Sequence, residues 1–196
     1  LTAYPAFTGN IIVNGGVYAN AFLAGGGNVT LQLVQDLANA QSDVTFQNIS
    51  GDATDAIVTR LYNVANANAI IEQGSFAGVI SGSGNLTKTT TNTLTLSGTN
   101  TYTGTTSVNV GILQITNPSA LGSTAGSTTV ANTAQLRLNG GITVTGETIT
   151  INGPAADNLG ALNSVSGSNT WAGPVILGNT TNTRVGATAG TLTITG

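Results

Sequence analysis

Five of the seven acidic residues fall in the first 77 positions: Asp36, Asp43, Asp52, Asp55 and Glu72. Carboxylates can bind a hard cation or hydrolyse a glycosidic bond, so they are the first place to look for chemistry. In Gly51-Asp52-Ala53-Thr54-Asp55 two carboxylates stand three apart. With loop carbonyls they form a candidate calcium site, but calcium wants six or more oxygens and no full ligand set is visible. A solvated loop is the competing reading. Gly25-Gly26-Gly27-Asn28-Val29-Thr30-Leu31 has the glycines of a calcium nonapeptide without its chelating acid, which leaves a Gly-rich turn before a strand. Glycoside cleavage needs two carboxylates on one face about 5–10 Å apart. The five acids meet that need only if the fold gathers them.

Histidine and cysteine are absent. That removes the usual general base, the commonest neutral metal ligand, thiolate metal sites and disulfides. The four basic residues, Arg60, Lys88, Arg137 and Arg184, are far apart in sequence, and net charge is −3. No basic patch exists for a nucleic-acid backbone. No catalytic, cofactor-binding or metal residue is therefore assigned, and the chain is expected not to be an enzyme. Tyr102 and Trp171 could stack on sugars, but at strand–turn boundaries core or corner packing is the alternative. Asn66, Asn68, Asn85, Asn100 and Asn169 are candidates for stacked side-chain ladders inside turns. Sequons at Asn28, Asn48, Asn85 and Asn179 are expected by chance in a chain this rich in Asn and Thr.

The elements that would position these groups are short strands. Charged residues make up 6% of 196 residues, and mean hydropathy is +0.22. That combination argues against disorder, which needs low hydrophobicity and high net charge. Thr favours strands, while Asn and Gly favour turns and left-handed corners. Alternating segments predict strands at Val29–Val34, Val44–Ile49, Leu94–Leu96, Gly111–Ile115, Gln135–Leu138, Ile142–Val144, Thr148–Ile151, Pro174–Leu177 and Leu192–Ile194. In the Thr148–Ile151 strand, Ile149 and Ile151 should point inward and the two threonines outward. Gln35–Gln41 is the one stretch of helical composition, a single turn or a loop.

The pattern also recurs at an offset of about ninety-five to a hundred residues. Phe7-Thr8-Gly9, Val13-Asn14 and Gly16-Val17 match Tyr102-Thr103-Gly104, Val108-Asn109 and Gly111-Ile112. Leu61, Val64 and Asn68 match Leu162, Val165 and Asn169. Phe76–Ile80 matches Trp171–Ile176, and Leu94–Gly98 matches Leu192–Gly196. A duplicated, strand-rich, low-charge chain points to an all-β right-handed parallel β-helix, with an antiparallel sandwich as the alternative. Asn14-Gly15, Asn139-Gly140 and Asn152-Gly153 are the dipeptides that would serve hairpins in the alternative. One continuous solenoid is expected, made of two tandem copies at about 1–95 and 96–196. Roughly 20 residues per coil gives about 8–10 coils and, at ~4.8 Å per strand, a rod of about 40–50 Å.

The segment Gly78-Val79-Ile80-Ser81-Gly82-Ser83-Gly84-Asn85-Leu86-Thr87-Lys88, with Leu94-Thr95-Leu96-Ser97-Gly98-Thr99-Asn100-Thr101-Tyr102-Thr103-Gly104, resembles the autotransporter passenger-associated β-strand repeat. Its pattern is approximately G-x-I-x-G-x-G-x-L-x-K, then T-L-x-L-x-G-x-N-x-Y-T-G, then a strand ending G-x-L, supplied here by Val108–Gln114. The resemblance runs through 78–115, extends over 158–196, and before residue 78 is confined to Phe7–Val17. It implies a right-handed β-helix on bacterial secreted or surface proteins and carries no catalytic residues. Members commonly end in a membrane-embedded barrel, which nothing here resembles.

The expected function is a non-catalytic structural module, extracellular or on the bacterial outer surface: a stalk, an adhesin segment or a head-to-tail filament subunit. A carbohydrate-binding or carbohydrate-cleaving β-helix is the alternative. Expected partners are a second copy stacked end to end or a covalent continuation, with a surface glycan or host ligand as a further candidate. No cofactor and no membrane insertion by this segment are expected. The chain reads as a mature product or as an excerpt. In the register of the repeat Leu1 sits opposite Leu96 and Gly196 opposite Gly98, which predicts strand edges to be covered at both ends, with Tyr4–Phe22 near one junction.

Overall fold

Alternation of one inward and one outward side chain makes each short segment a strand, and recurring Gly and Asn turn the chain before a strand can lengthen. The computed structural model describes residues 69–178 and 182–196 in full. Before residue 69 it describes seven strands, at 9–14, 16–18, 21–22, 29–34, 44–46, 49–51 and 56–59. Every strand pairing is parallel, and no helix occurs among the described residues. The chain winds as a right-handed parallel β-helix, so the antiparallel alternative does not hold.

Each coil visits three faces in turn. The second and third faces are sheets of eight strands, from Gly16–Tyr18 to Val175–Leu177 and from Ala21–Phe22 to Val185–Ala187. The first face is interrupted. Four strands, ending with Val79–Gly82, form one sheet, and three strands, beginning with Thr143–Thr145, form another. Between them the chain crosses this side twice without a regular strand. Isolated hydrogen bonds tie these crossings to their neighbours, such as Thr101 N to Ile80 O (2.8 Å) and Ser123 N to Tyr102 O (2.9 Å).

Register stacks like residues in columns. On the third face Leu94, Leu113, Leu136 and Leu162 lie one above another, beside the column Phe76, Leu96, Ile115 and Leu138. All eight are buried. A fully buried Leu or Ile contributes about 1.5–3 kcal/mol by leaving water, so such columns are the main favourable term. On the second face the inward columns are Leu86, Thr106, Thr128, Ile149 and Lys88, Val108, Val130, Ile151. Ile149 and Ile151 are buried and Thr148 and Thr150 only partly so, which is the register the alternation predicts.

Most predicted strands fall on observed ones; Val29–Val34 and Thr148–Ile151 coincide with them. Val44–Ile49 does not form a single strand. Val44–Phe46 belongs to the second face and Ile49–Gly51 to the third. Gln35–Gln41 lies outside the described residues. The segments matched between the two halves occupy successive faces: Leu94–Leu96 lies on the third, Leu192–Ile194 on the first. Likewise Gly9–Asn14 is on the first face and Thr106–Val108 on the second.

Candidate functional site

The corners hold the polar groups. Between the first and second faces successive coils approach so closely that a Cβ on Gly104 would lie 2.3 Å from Gly84 O. On Gly126 it would lie 2.2 Å from Gly104 O, and on Gly173 2.2 Å from Glu147 O. Glycine is thus required by close backbone contact, not by sequence fashion. Between the second and third faces, three successive coils use a left-handed residue at the corner: Gly111 (φ 74°), Thr133 (φ 72°) and Ala155 (φ 69°). For Thr133 the conformation follows from a tight turn closed by Ala134 N to Ala131 O at 3.0 Å.

These second corners border a shallow groove of about 240 Å³, lined by Val110, Ile112, Thr133, Gln135, Arg137 and Asp157 among others. Arg137 Nη2 meets Asp157 Oδ2 at 3.1 Å, and its Nε donates to Gln135 Oε1. Gln135 Nε2 donates to Gly160 O at 2.7 Å. Asp157 is the one acid in the groove, so the paired carboxylates of glycoside hydrolysis are not assembled there.

The asparagines act as pins between coils. Asn100 Oδ1 accepts from Ile80 N (2.8 Å) and its Nδ2 donates to Ala120 O (2.6 Å), joining three coils where the first face lacks strands. Asn85 Oδ1 accepts from Thr105 N at 2.8 Å. Asn169 Oδ1 accepts from the backbone N–H of Gly141 and Ile142, and its Nδ2 donates to Ser164 Oγ at 2.7 Å. The side chains bond mainly to backbone, not to like amides in a ladder, because neighbouring coils place different residues at these corners. Asn66 and Asn68 lie outside the described residues.

Tyr102 and Trp171 are fully buried, so neither offers a ring for a sugar. Tyr102 Oη bonds Thr106 Oγ1 at 2.5 Å, and burial pushes the phenol's pKa well up. Trp171 Nε1 is the one buried side-chain polar atom without a partner among the described residues. Of the acids weighed above, Asp36, Asp43, Asp52 and Asp55, with the candidate calcium loop, lie outside the described residues. Glu72 is partly buried. Among the described residues no group of three or more acids could hold a metal ion, and no helix is long and apolar enough to cross a membrane.

Two buried ionisable groups escaped the sequence reading. Lys88 is 1% exposed, and its ammonium donates to Thr90 O, Thr90 Oγ1 (3.2 Å) and Val110 O (3.4 Å). Thr90 Oγ1 in turn donates to Glu72 O at 2.7 Å, so the group links three coils. Desolvation lowers the amine to about 8, against the raising field of Glu72. The signal was in the alternation: Leu86-Thr87-Lys88 puts Lys88 on the side of Leu86. Glu147 is 3% exposed and accepts from Thr128 Oγ1 at 2.8 Å. It stands at a corner, where alternation fails.

The final strands of the three faces, Val175–Leu177, Val185–Ala187 and Thr191–Ile194, each pair on one side only among the described residues. They expose Ile176, Leu177, Val185 and Ile194. A family model described as passenger-associated-transport-repeat matches residues 86–115, from the second-face strand that carries Lys88 to the end of the third-face strand Ile112–Ile115. No curated protein and no solved structure matches the chain.

Proposed function

We propose that this chain, which carries a passenger-associated-transport-repeat at residues 86–115, is a non-catalytic structural module of a bacterial secreted or cell-surface protein. The observation that carries the reading is the place of the repeat. It forms consecutive coils within one stack, with residues before and after it following the same three-faced path. The inventory fits: the inward columns are mainly apolar, with Thr106, Thr128 and Lys88 as buried polar members on the second face, the Asn side chains pin coils together, and the aromatics serve the core. A stalk, adhesin segment or head-to-tail filament subunit is the role we assign.

Assembly along the axis is the accompanying proposal. A parallel strand edge with exposed Ile176, Leu177, Val185 and Ile194 fits another coil of the same cross-section, from a second copy or from further chain. We treat the 196 residues as one continuous solenoid in that assembly, and the two sequence copies as tandem parts of it. Sedimentation and electron microscopy of the purified chain test the assembly, with concentration-dependent end-to-end rods expected. A monomer at high concentration counts against it. Glycan-array binding and reducing-sugar release test the non-catalytic reading separately, and released sugar would overturn it.

A further inference from the structure

Glu147 interrupts the glycine corner between the first and second faces. The pairing of Thr148 with Ser127 aligns Glu147 with Gly126 below, and that of Ile149 with Val175 aligns it with Gly173 above. The same register continues through Gly104 to Gly84. At a position where neighbouring coils have no space for a Cβ, this coil carries a full carboxylate side chain, directed inside. Gly146, with φ of 73°, precedes it and allows the detour.

The surroundings of the carboxyl are polar but uncharged. Thr128 donates to it, Thr128 stacks on Thr106, and Thr106 bonds the hydroxyl of Tyr102. Tyr102 is the titratable group in the interior that feels Glu147. The described cations stand elsewhere. Lys88 is engaged by Thr90 and Val110, while Arg137 and Arg184 bond Asp157 and Asn158 at the corner between the second and third faces. No described opposite charge compensates an ionised Glu147.

We propose that Glu147 is an acid-dependent latch in the solenoid: as a neutral acid it seats against Thr128 and closes its corner, and on ionisation it loosens the coil it belongs to. Burial raises its pKa from 4.5 to about 7, opposed by the hydrogen bond from Thr128. The folded chain then keeps a proton that the unfolded chain gives up above about pH 4.5. The contribution of this group to stability is therefore full below about pH 4.5, falls as pH rises from there to about 7, and is lost above that. The latch does not depend on the proposed surface role.

The test is chemical denaturation of the whole chain at pH 5 and pH 8, with amide exchange read at residues 126–130 and 143–151. The folded-to-unfolded ratio should fall more than about tenfold over that range. In Glu147→Gln the profile should be flat. A flat wild-type profile, or an unchanged slope in Glu147→Gln, overturns the proposal. Thr128→Val, which keeps the shape of the column, should move the pH midpoint upward because the hydrogen bond that favours the carboxylate is gone. An unmoved midpoint in that variant also overturns it.

Discussion

The second and third faces are built to the same plan and filled differently. Eight parallel strands stack in each. The third face turns Leu94, Leu113, Leu136 and Leu162 inward without a polar residue in that column. The second face interleaves Thr106, Thr128 and Lys88 with Leu86, Val108 and Ile149. Every polar intruder on the second face has a partner: Tyr102 for Thr106, Glu147 for Thr128, and the Thr90 and Val110 oxygens for Lys88. The difference separates cohesion from responsiveness. Apolar columns supply stability that does not change with pH, and the buried polar groups supply what does change.

The hardest blow to this comparison is Ile149→Asp, which adds a charge to the second face with no partner. If the second face tolerates polarity only when paired, the cost should exceed about 4 kcal/mol in denaturant titration. An unchanged midpoint would show that the interior there is wet. Leu113→Ala on the third face should cost about 3 kcal/mol, by lost transfer energy and the cavity left behind, equally at pH 5 and pH 8. A pH-dependent cost would break the division between faces. Thr106→Val removes the partner of the buried Tyr102 hydroxyl and should cost about 1–2 kcal/mol. Lys88→Met is the finest probe. The lowered amine means that the folded state holds fewer protons than the unfolded chain between about pH 8 and 10.5, so wild-type stability should rise with pH through that window. Melting curves at pH 8 and 10 should show that rise in the wild type and not in the variant.

The alternation of Thr148–Ile151 and Gln135–Leu138 made strands and their inward faces readable in advance, because a period of two is a local property. Which face a strand joins is not local. Val44–Ile49 looks like one strand, yet Val44–Phe46 joins the second face and Ile49–Gly51 the third. The same limit explains why the long sequence match relates Leu94–Leu96 to Leu192–Ile194 across different faces: strand and turn chemistry is interchangeable among the three sides. The inward direction of Lys88 is legible from its alternation with Leu86, whereas its hydrogen bond to Val110 O on the next coil is not. Glu147 carried no sequence signal, since its inward path depends on the glycine corner above and below it.

The gap in the first face has a mechanical meaning. If the module bears tension along its axis, load passes from coil to coil through the hydrogen bonds that join them. Where three ladders exist, three share the force. Between Val79–Gly82 and Thr143–Thr145 two continuous ladders remain, and the rest falls on isolated contacts and on the amide of Asn100, which grips Ile80 on one side and Ala120 on the other. A pulled molecule should part first in these coils, with Asn100 as the rivet that determines how much force it withstands.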